Sequence, residues 1–94
     1  MRFAPAARRD LRDIWTYSAR QWGTMQAERY VRQIEAACRS VARDDQAGSA
    51  ISEVRPGYRK LRVGSHNLFF RHGEGAVVDV IRILHVRMDV DRHL

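Results

Sequence analysis

Four basic side chains recur among apolar residues in the last third of the chain, and they are the first candidates for chemistry. Lys60 and Arg62 belong to one segment, Arg71 to the next and Arg82 to the last. A guanidinium group binds a carboxylate or a phosphate through two parallel hydrogen bonds, so the pattern indicates an acidic protein partner or a phosphate backbone. The competing interpretation is a solvated face on which long side chains cover apolar atoms.

A second candidate cluster, His85, Arg87 and Asp89, closes the last apolar segment. Histidine changes charge near neutral pH, so such a cluster at a strand end could transfer protons. The competing interpretation is local: Asp89 caps a short final helical turn over Val90–Leu94, and Arg87 pairs nearby.

Metal and cofactor chemistry have no comparable pattern. The histidines lack metal-ligand spacing and no cysteine pair accompanies them, so we expect no metal site. The segment Gly73–Gly75 is predicted to be a hairpin turn and does not open a helix, so it is not a phosphate loop and we expect no cofactor.

The bulk composition narrows the class of protein. A chain of 94 residues predicts one domain over residues 1–94. The formal net charge of +6 favours an anionic partner. Cys38 is the only cysteine and is expected to fill the core, which suits a reducing compartment. Without an apolar leader or a long apolar run, we expect a cytoplasmic protein that does not bind membranes.

Two amphipathic helices are predicted in the first half. Pro5 suits a first helical turn, and residues 6–21 place apolar side chains at spacings of three and four. Gly23 ends this helix and Thr24 caps the next, which runs to about Arg43. Because the connection is short, the helices form an antiparallel hairpin. Trp15, Trp22 and Tyr30 are expected to pack in the core or within this hairpin.

The second half predicts an antiparallel sheet. A loop over residues 44–57 is anchored by Ile51 and Val54, and three strands follow over residues 58–64, 66–71 and 77–85. The predicted fold class is therefore α+β: a two-helix hairpin on a small, mainly antiparallel sheet, with a short C-terminal helical turn.

Alternation along the strands assigns side chains to the two faces of the sheet. The face toward the helices receives Leu61, Val63, Leu68, Phe70, Ile81 and Ile83. The outer face receives Lys60, Arg62, Arg71 and Arg82 around Phe69, Val78, Val80 and Leu84. Asp79 then points toward the helices, where it must reach the margin of the sheet or pair with an arginine of a helix. A β-bulge would shift the phase of the whole assignment. An apolar centre ringed by cations indicates a protein-binding surface.

Three segments together resemble the ParE/RelE superfamily of bacterial toxins. Residues 7–14 resemble A-x-x-D-L-x-x-I, residues 57–64 resemble G-x-R-x-L-x-V-G, and residues 80–89 resemble V-x-R-I-L-H-x-R-x-D. The resemblance implies the fold predicted above. It also implies a hetero-oligomer with a ParD-like ribbon-helix-helix antitoxin, through which alone the toxin would reach operator DNA.

The resemblance leaves two activities. ParE-like members inhibit DNA gyrase by binding it, whereas RelE-like members are ribosome-dependent endoribonucleases. The chain has no tyrosine after Tyr58, so a C-terminal catalytic tyrosine is absent and the ParE branch, which is not enzymatic, is preferred. We expect the antitoxin to bind Lys60, Arg62, Phe69, Arg71, Val80 and Arg82, and the target to contact His85, Arg87 and Asp89. In the ribonuclease alternative, Arg62 and Arg82 hold phosphate and His85 moves protons.

Overall fold

The computed structural model describes residues 1–44, 47–75 and 77–94. The helices are α1 (Pro5–Trp22), α2 (Thr24–Arg43) and α3 (Val90–His93), and the strands are β1 (Arg2–Phe3), β2 (Ser49–Ala50), β3 (Tyr58–Val63), β4 (His66–His72) and β5 (Val78–His85). Residues 45 and 46 of the predicted loop, and Ala76 after the predicted second turn, lie outside the described residues. Among those described, no helix combines the length and apolarity needed to cross a bilayer.

The predicted helical hairpin is confirmed, with small corrections at its ends. α1 begins at Pro5, where the missing N–H costs nothing, and ends where Gly23 adopts a φ of 92°. Thr24 is the first residue of α2, and no side chain caps that helix, so the predicted cap is wrong. The buried residues Ala27, Ile34, Cys38 and Val41 recur along α2 at helical spacing and form its core stripe.

One sheet, in the order β1-β5-β4-β3-β2, carries both helices on one face. β3, β4 and β5 are antiparallel, whereas β1 runs parallel to β5. Cys38 is fully buried, and burial raises the pKa of its thiol to about 11, so it is core material as predicted. The α+β class with a mainly antiparallel sheet is confirmed.

A β-bulge in β5 overturns part of the predicted face assignment. Phe69 pairs with Arg82 while Phe70 pairs with Val80, so Ile81 is an extra residue with no partner. Before the bulge, Val78 and Val80 face the helices and are buried there; after it, Ile83 does. Val78 and Val80 were therefore assigned to the wrong face. Asp79 lies on the outer face, opposite Arg71, which removes the unexplained inward carboxylate.

A second, smaller core covers the middle of the outer face. Ile51, Phe69 and Leu84 are buried together. The partly buried residues that pack against them come from the loop, the start of β3 and the C-terminal end: Val54, Tyr58, Val90 and Leu94. Ile51 and Val54 thus anchor the loop as predicted, but they do so on the face away from the helices.

Candidate protein-binding site

The outer face of the sheet is basic, but its apolar centre is not open. Phe69 is only 4% exposed beneath the second core, and Val80 is fully buried on the other face. Neither can contact a partner on this surface without rearrangement, so the chain as it is folded offers neither of these predicted apolar contacts. Three exposed cations remain, and we call them the basic strip: Lys60 and Arg62 on β3 and Arg71 on β4.

Arg82 forms an internal ion pair and does not belong to the strip. Its Nε and a terminal nitrogen donate to the two Asp10 carboxylate oxygens at 2.8 and 2.9 Å. Asp10 also accepts from the Ile83 backbone N–H at 2.9 Å, just beyond the bulge. The hydrogen bonds to Asp10 raise the pKa of Arg82 above its usual value. The structure therefore contradicts a surface role for Arg82, because its charge is neutralised against α1.

Within the basic strip, Arg71 already has an ion-pair partner, whereas Lys60 and Arg62 have none among the described residues. Arg71 lies 3.6 Å from Asp79, which also pairs with Arg2 at 2.9 Å. The Arg71 guanidinium stands 5.9 Å from the centre of the Tyr58 ring. Among the described residues, neither Lys60 nor Arg62 forms an ion pair. These two charges are available to an acidic partner.

A groove beside these two cations crosses the outer face from β2 to Val86, just beyond β5. β2 pairs only with Arg59 and Lys60, so the β3 edge beyond Lys60 has no partner strand among the described residues. The groove has a volume of about 350 Å³, and Lys60, Leu61, Arg62 and Asn67 line it. Arg62 is held over the end of β3 by a 2.9 Å bond from Nε to the Gly64 carbonyl. An extended acidic segment fits this edge by backbone pairing and charge together.

His85, Arg87 and Asp89 do not form a catalytic cluster. His85 Nδ1 accepts a bond from the Arg87 backbone N–H at 3.1 Å, which needs an unprotonated Nδ1. Asp89 caps α3 through the Asp91 N–H, as the local interpretation predicted. The Arg87 side chain is exposed.

The three residues of the ribonuclease alternative do not converge either. His85 pairs with His66 on the face toward the helices, Arg82 binds Asp10, and Arg62 lies on the outer face. Arg59, a further cation of β3, donates to the Ala47 and Gly48 carbonyls. No single phosphate could contact this set as the structure arranges it.

A cavity at the end of the helical hairpin is the feature that sequence reasoning missed. It has a volume of about 280 Å³ and lies between the α1–α2 connection and the β3–β4 turn. Its lining is formed by Tyr17, Ser18 and Trp22 of α1, Gln26 and Tyr30 of α2, and Ser65, His66 and His85 of the sheet. All eight are neutral or weakly basic near pH 7, and none is an acid or an arginine.

The Tyr30 hydroxyl makes three polar contacts at the base of this cavity. It lies 2.6 Å from His66 Nδ1, accepts from the Ser65 N–H at 3.0 Å and lies 3.2 Å from the Val63 carbonyl oxygen. Gly64 permits the approach, since a Cβ there would lie 2.7 Å from the Tyr30 ring. The φ of Gly64, 58°, is also one that favours glycine.

The two histidines of the cavity lie side by side. Their ring centres are 5.3 Å apart in an edge-to-face arrangement. Burial, and then the nearby His85, lower the pKa of His66, while Asp10 opposes the shift. The surroundings of His66 therefore favour its neutral form.

Trp22 stands at the mouth of the cavity and corrects a sequence prediction. It was expected to pack inside the hairpin, yet it is 65% exposed and contacts Tyr17 edge to face at 6.2 Å between ring centres. Tyr30 does pack against the core as expected. The available signal was the position of Trp22 directly before Gly23, where the helix ends beyond the sheet that would cover it.

Comparison with known proteins agrees with this fold. Residues 1–90 match the family described as the ParE toxin of the type II toxin–antitoxin system parDE. A Mycobacterium tuberculosis protein named Toxin ParE1 is 50% identical over 92 residues, covering 97% of this chain and 93% of that protein. A Caulobacter vibrioides Toxin ParE1 is 40% identical over 93 residues, covering 99% and 95% respectively.

A solved structure gives the same fold. It is described as the chromosomal ParDE toxin–antitoxin system from P. aeruginosa, and its chain superimposes with a TM-score of 0.77 over 92% of this chain and 94% of that one. The sequences are 22% identical, so the likeness concerns the arrangement of helices and strands.

Proposed function

The chain belongs to the ParE toxin family of type II toxin–antitoxin systems, and on that premise we propose that it stops growth by binding DNA gyrase. In the same proposal, a ParD-like ribbon-helix-helix antitoxin holds it inactive through an acidic arm. The toxin then works in the cytoplasm, and it reaches operator DNA only as part of the antitoxin complex.

The observation that carries the antitoxin part is the pair of unneutralised cations beside an open strand edge. Lys60 and Arg62 are exposed, have no ion pair among the described residues and line a groove on the outer face. An acidic arm that pairs with this edge would gain charge-assisted bonds as well as backbone bonds. Arg71 extends the same surface, at a smaller gain because Asp79 already shares its charge.

A binding toxin agrees with the site better than an enzyme does. RNA cleavage requires groups that hold the phosphate and a group that moves a proton, within reach of the same atoms. Arg62, Arg82 and His85 are separated by the sheet or bound to Asp10, so they do not meet this requirement. We therefore favour gyrase inhibition by direct contact, without covalent chemistry.

The test is a supercoiling assay with purified toxin, run beside transcript mapping after induction in cells. We expect the toxin to block gyrase or to trap cleaved DNA, and an equimolar amount of the antitoxin encoded with it to restore supercoiling. Transcripts should stay intact while growth stops. Undiminished supercoiling at saturating toxin would remove the proposed target, and codon-specific cleavage of translated messages would favour the ribonuclease alternative.

A further inference from the structure

The mouth of the cavity exposes large apolar side chains to solvent. Tyr17 is 60% exposed and Trp22 is 65% exposed, and both line the cavity. Tryptophan and tyrosine beside a pocket are typical of the anchor points in protein interfaces, because they bury much area at little entropic cost. An exposed aromatic pair of this kind is usually covered by something in the working state.

The cavity and the groove of the basic strip lie on opposite faces of the sheet, at the end where β3 turns into β4. Arg62, which lines the groove, bonds to the Gly64 carbonyl, and the next residue, Ser65, lines the cavity. An arm that lies along β3 therefore reaches the cavity by passing round the β3–β4 turn. The lining holds no charged acid or arginine, so it favours an uncharged side chain of the arm over one of its carboxylates.

We propose that the cavity receives a large aromatic or aliphatic side chain from the acidic arm of the antitoxin, and that this contact shields the buried His66 ring from water, so that acid loosens the complex. This rests on the proposed function, because the occupant belongs to the proposed antitoxin. The cations Lys60 and Arg62 attract the acidic arm to β3. The anchor side chain then fixes the position of the arm at the β3–β4 turn.

The proton linkage follows from the groups that face His66. Tyr30 of α2 lies 2.6 Å from His66, and Asp10 of α1 is the acid that favours the charged form of His66. His85 of β5 faces His66 edge to face and disfavours that charged form. Tyr17 of α1 lies at the mouth of the cavity. A seated apolar side chain removes water from the His66 ring, which penalises its charged form further.

The experiment measures the affinity of full-length toxin for the full antitoxin encoded with it, by calorimetry at pH 7.5 and pH 5.5. We expect Trp22→Ala to weaken the complex about 30-fold at pH 7.5, as the loss of an interface hot spot does. The matched control is Met25→Ala: Met25 is 74% exposed next to the same helix connection but does not line the cavity. Its complex should stay within about threefold of wild type.

The pH series uses His66→Gln, which keeps a polar side chain but cannot titrate. Wild-type affinity should fall about fivefold from pH 7.5 to 5.5, and His66→Gln should lose most of that dependence. Thermal unfolding of each variant checks that it is folded. If His66→Gln folds poorly, Gln26→Trp fills the cavity instead and should weaken binding as Trp22→Ala does.

Each outcome bears on one proposal. Wild-type affinity in folded Trp22→Ala, or an unchanged pH dependence in folded His66→Gln, would overturn the inference. Loss of gyrase inhibition by Trp22→Ala with antitoxin affinity intact would assign the cavity to the target and also overturn it. If gyrase is unaffected by the wild-type toxin while Trp22→Ala weakens the antitoxin complex, the target proposal fails and the inference stands.

Discussion

The β5 and β3 strands both carry arginine on the outer face, and they use it in opposite ways. On β5, Arg82 is paired with Asp10 through two short hydrogen bonds, and its side chain is 23% exposed. On β3, Arg62 is exposed, and its guanidinium donates to the Gly64 backbone carbonyl and has no carboxylate partner among the described residues. The two residues look equivalent along the sequence, each lying in a strand among apolar neighbours.

The difference arises from what covers each strand. β1 pairs only with Asp79 and Val80, so the β5 edge beyond the bulge is left to α1, and Asp10 caps the Ile83 N–H there. The corresponding stretch of β3 has no helix carboxylate against it. An arginine on a strand is thus a binding candidate only where its own fold has not already neutralised it.

The largest expected change in stability comes from removing the Asp10 carboxylate of α1, which pairs with Arg82 of β5. Asp10→Ala leaves Arg82 without its partner and the Ile83 N–H without its acceptor, and it should lower the free energy of unfolding by about 3 kcal/mol. Urea unfolding followed by circular dichroism measures this. Asp13→Ala, an exposed carboxylate on the same helix, is the control and should change stability by less than about 0.5 kcal/mol. Equal effects of the two substitutions would mean that the pair is only a surface contact.

Charge reversal on the two strands should separate binding from folding. Arg62→Glu should weaken the antitoxin complex at least about tenfold while thermal unfolding stays near wild type, since the side chain has no internal ion pair. Arg82→Glu should instead destabilise the fold, because it places a carboxylate against Asp10. Arg9→Glu, on the exposed side of α1, should leave both quantities close to wild type. If folded Arg82→Glu lost as much affinity for the antitoxin as Arg62→Glu, the proposed difference between the β3 and β5 arginines would be wrong.

The loss of stability in acid should come from His66 and from neither arginine. His66 is the first residue of β4, the strand between β3 and β5. Its pKa is lowered in the folded chain by burial and by His85, so the unfolded chain takes up a proton first. Stability is therefore complete above the unfolded value of about 6.5 and is lost as pH falls below it, until the folded group also titrates. Thermal unfolding between pH 8 and pH 5.5 should show a larger loss in wild type than in His66→Gln. Parallel curves would remove His66 as the cause, and we expect this effect to be smaller than the two above.

Most of the elements were predictable because their signals are local. The two helices follow from apolar spacing, and they end at Gly23, where the backbone has a positive φ. The β3–β4 hairpin follows from Gly64–Ser65, and the cap at Asp89 from its position before the last turn. The basic strip at Lys60, Arg62 and Arg71 also followed from alternation, since β3 and β4 pair in simple register over residues 58–63 and 66–71.

The failures share one physical cause, the non-local placement of chain segments. Val80 was assigned to the outer face because alternation was carried through Ile81, whereas the bulge there shifts the phase by one residue. Phe69 was on the correct face but is covered by the loop and by the C-terminal end, which pack there from elsewhere in the chain. Trp22 lies on a helical stripe whose last turn extends past the sheet.

The sequence by itself determined the fold class, the order of most elements and the family, because periodicity, turn residues and motif spacing are properties of neighbouring residues. Tertiary structure alone decided which cations are available, which face each β5 side chain occupies, and that Tyr30, His66 and His85 meet beside Trp22. Those outcomes depend on contacts between residues far apart in the chain, such as Asp10 and Arg82, and alternation within one strand carries no information about them.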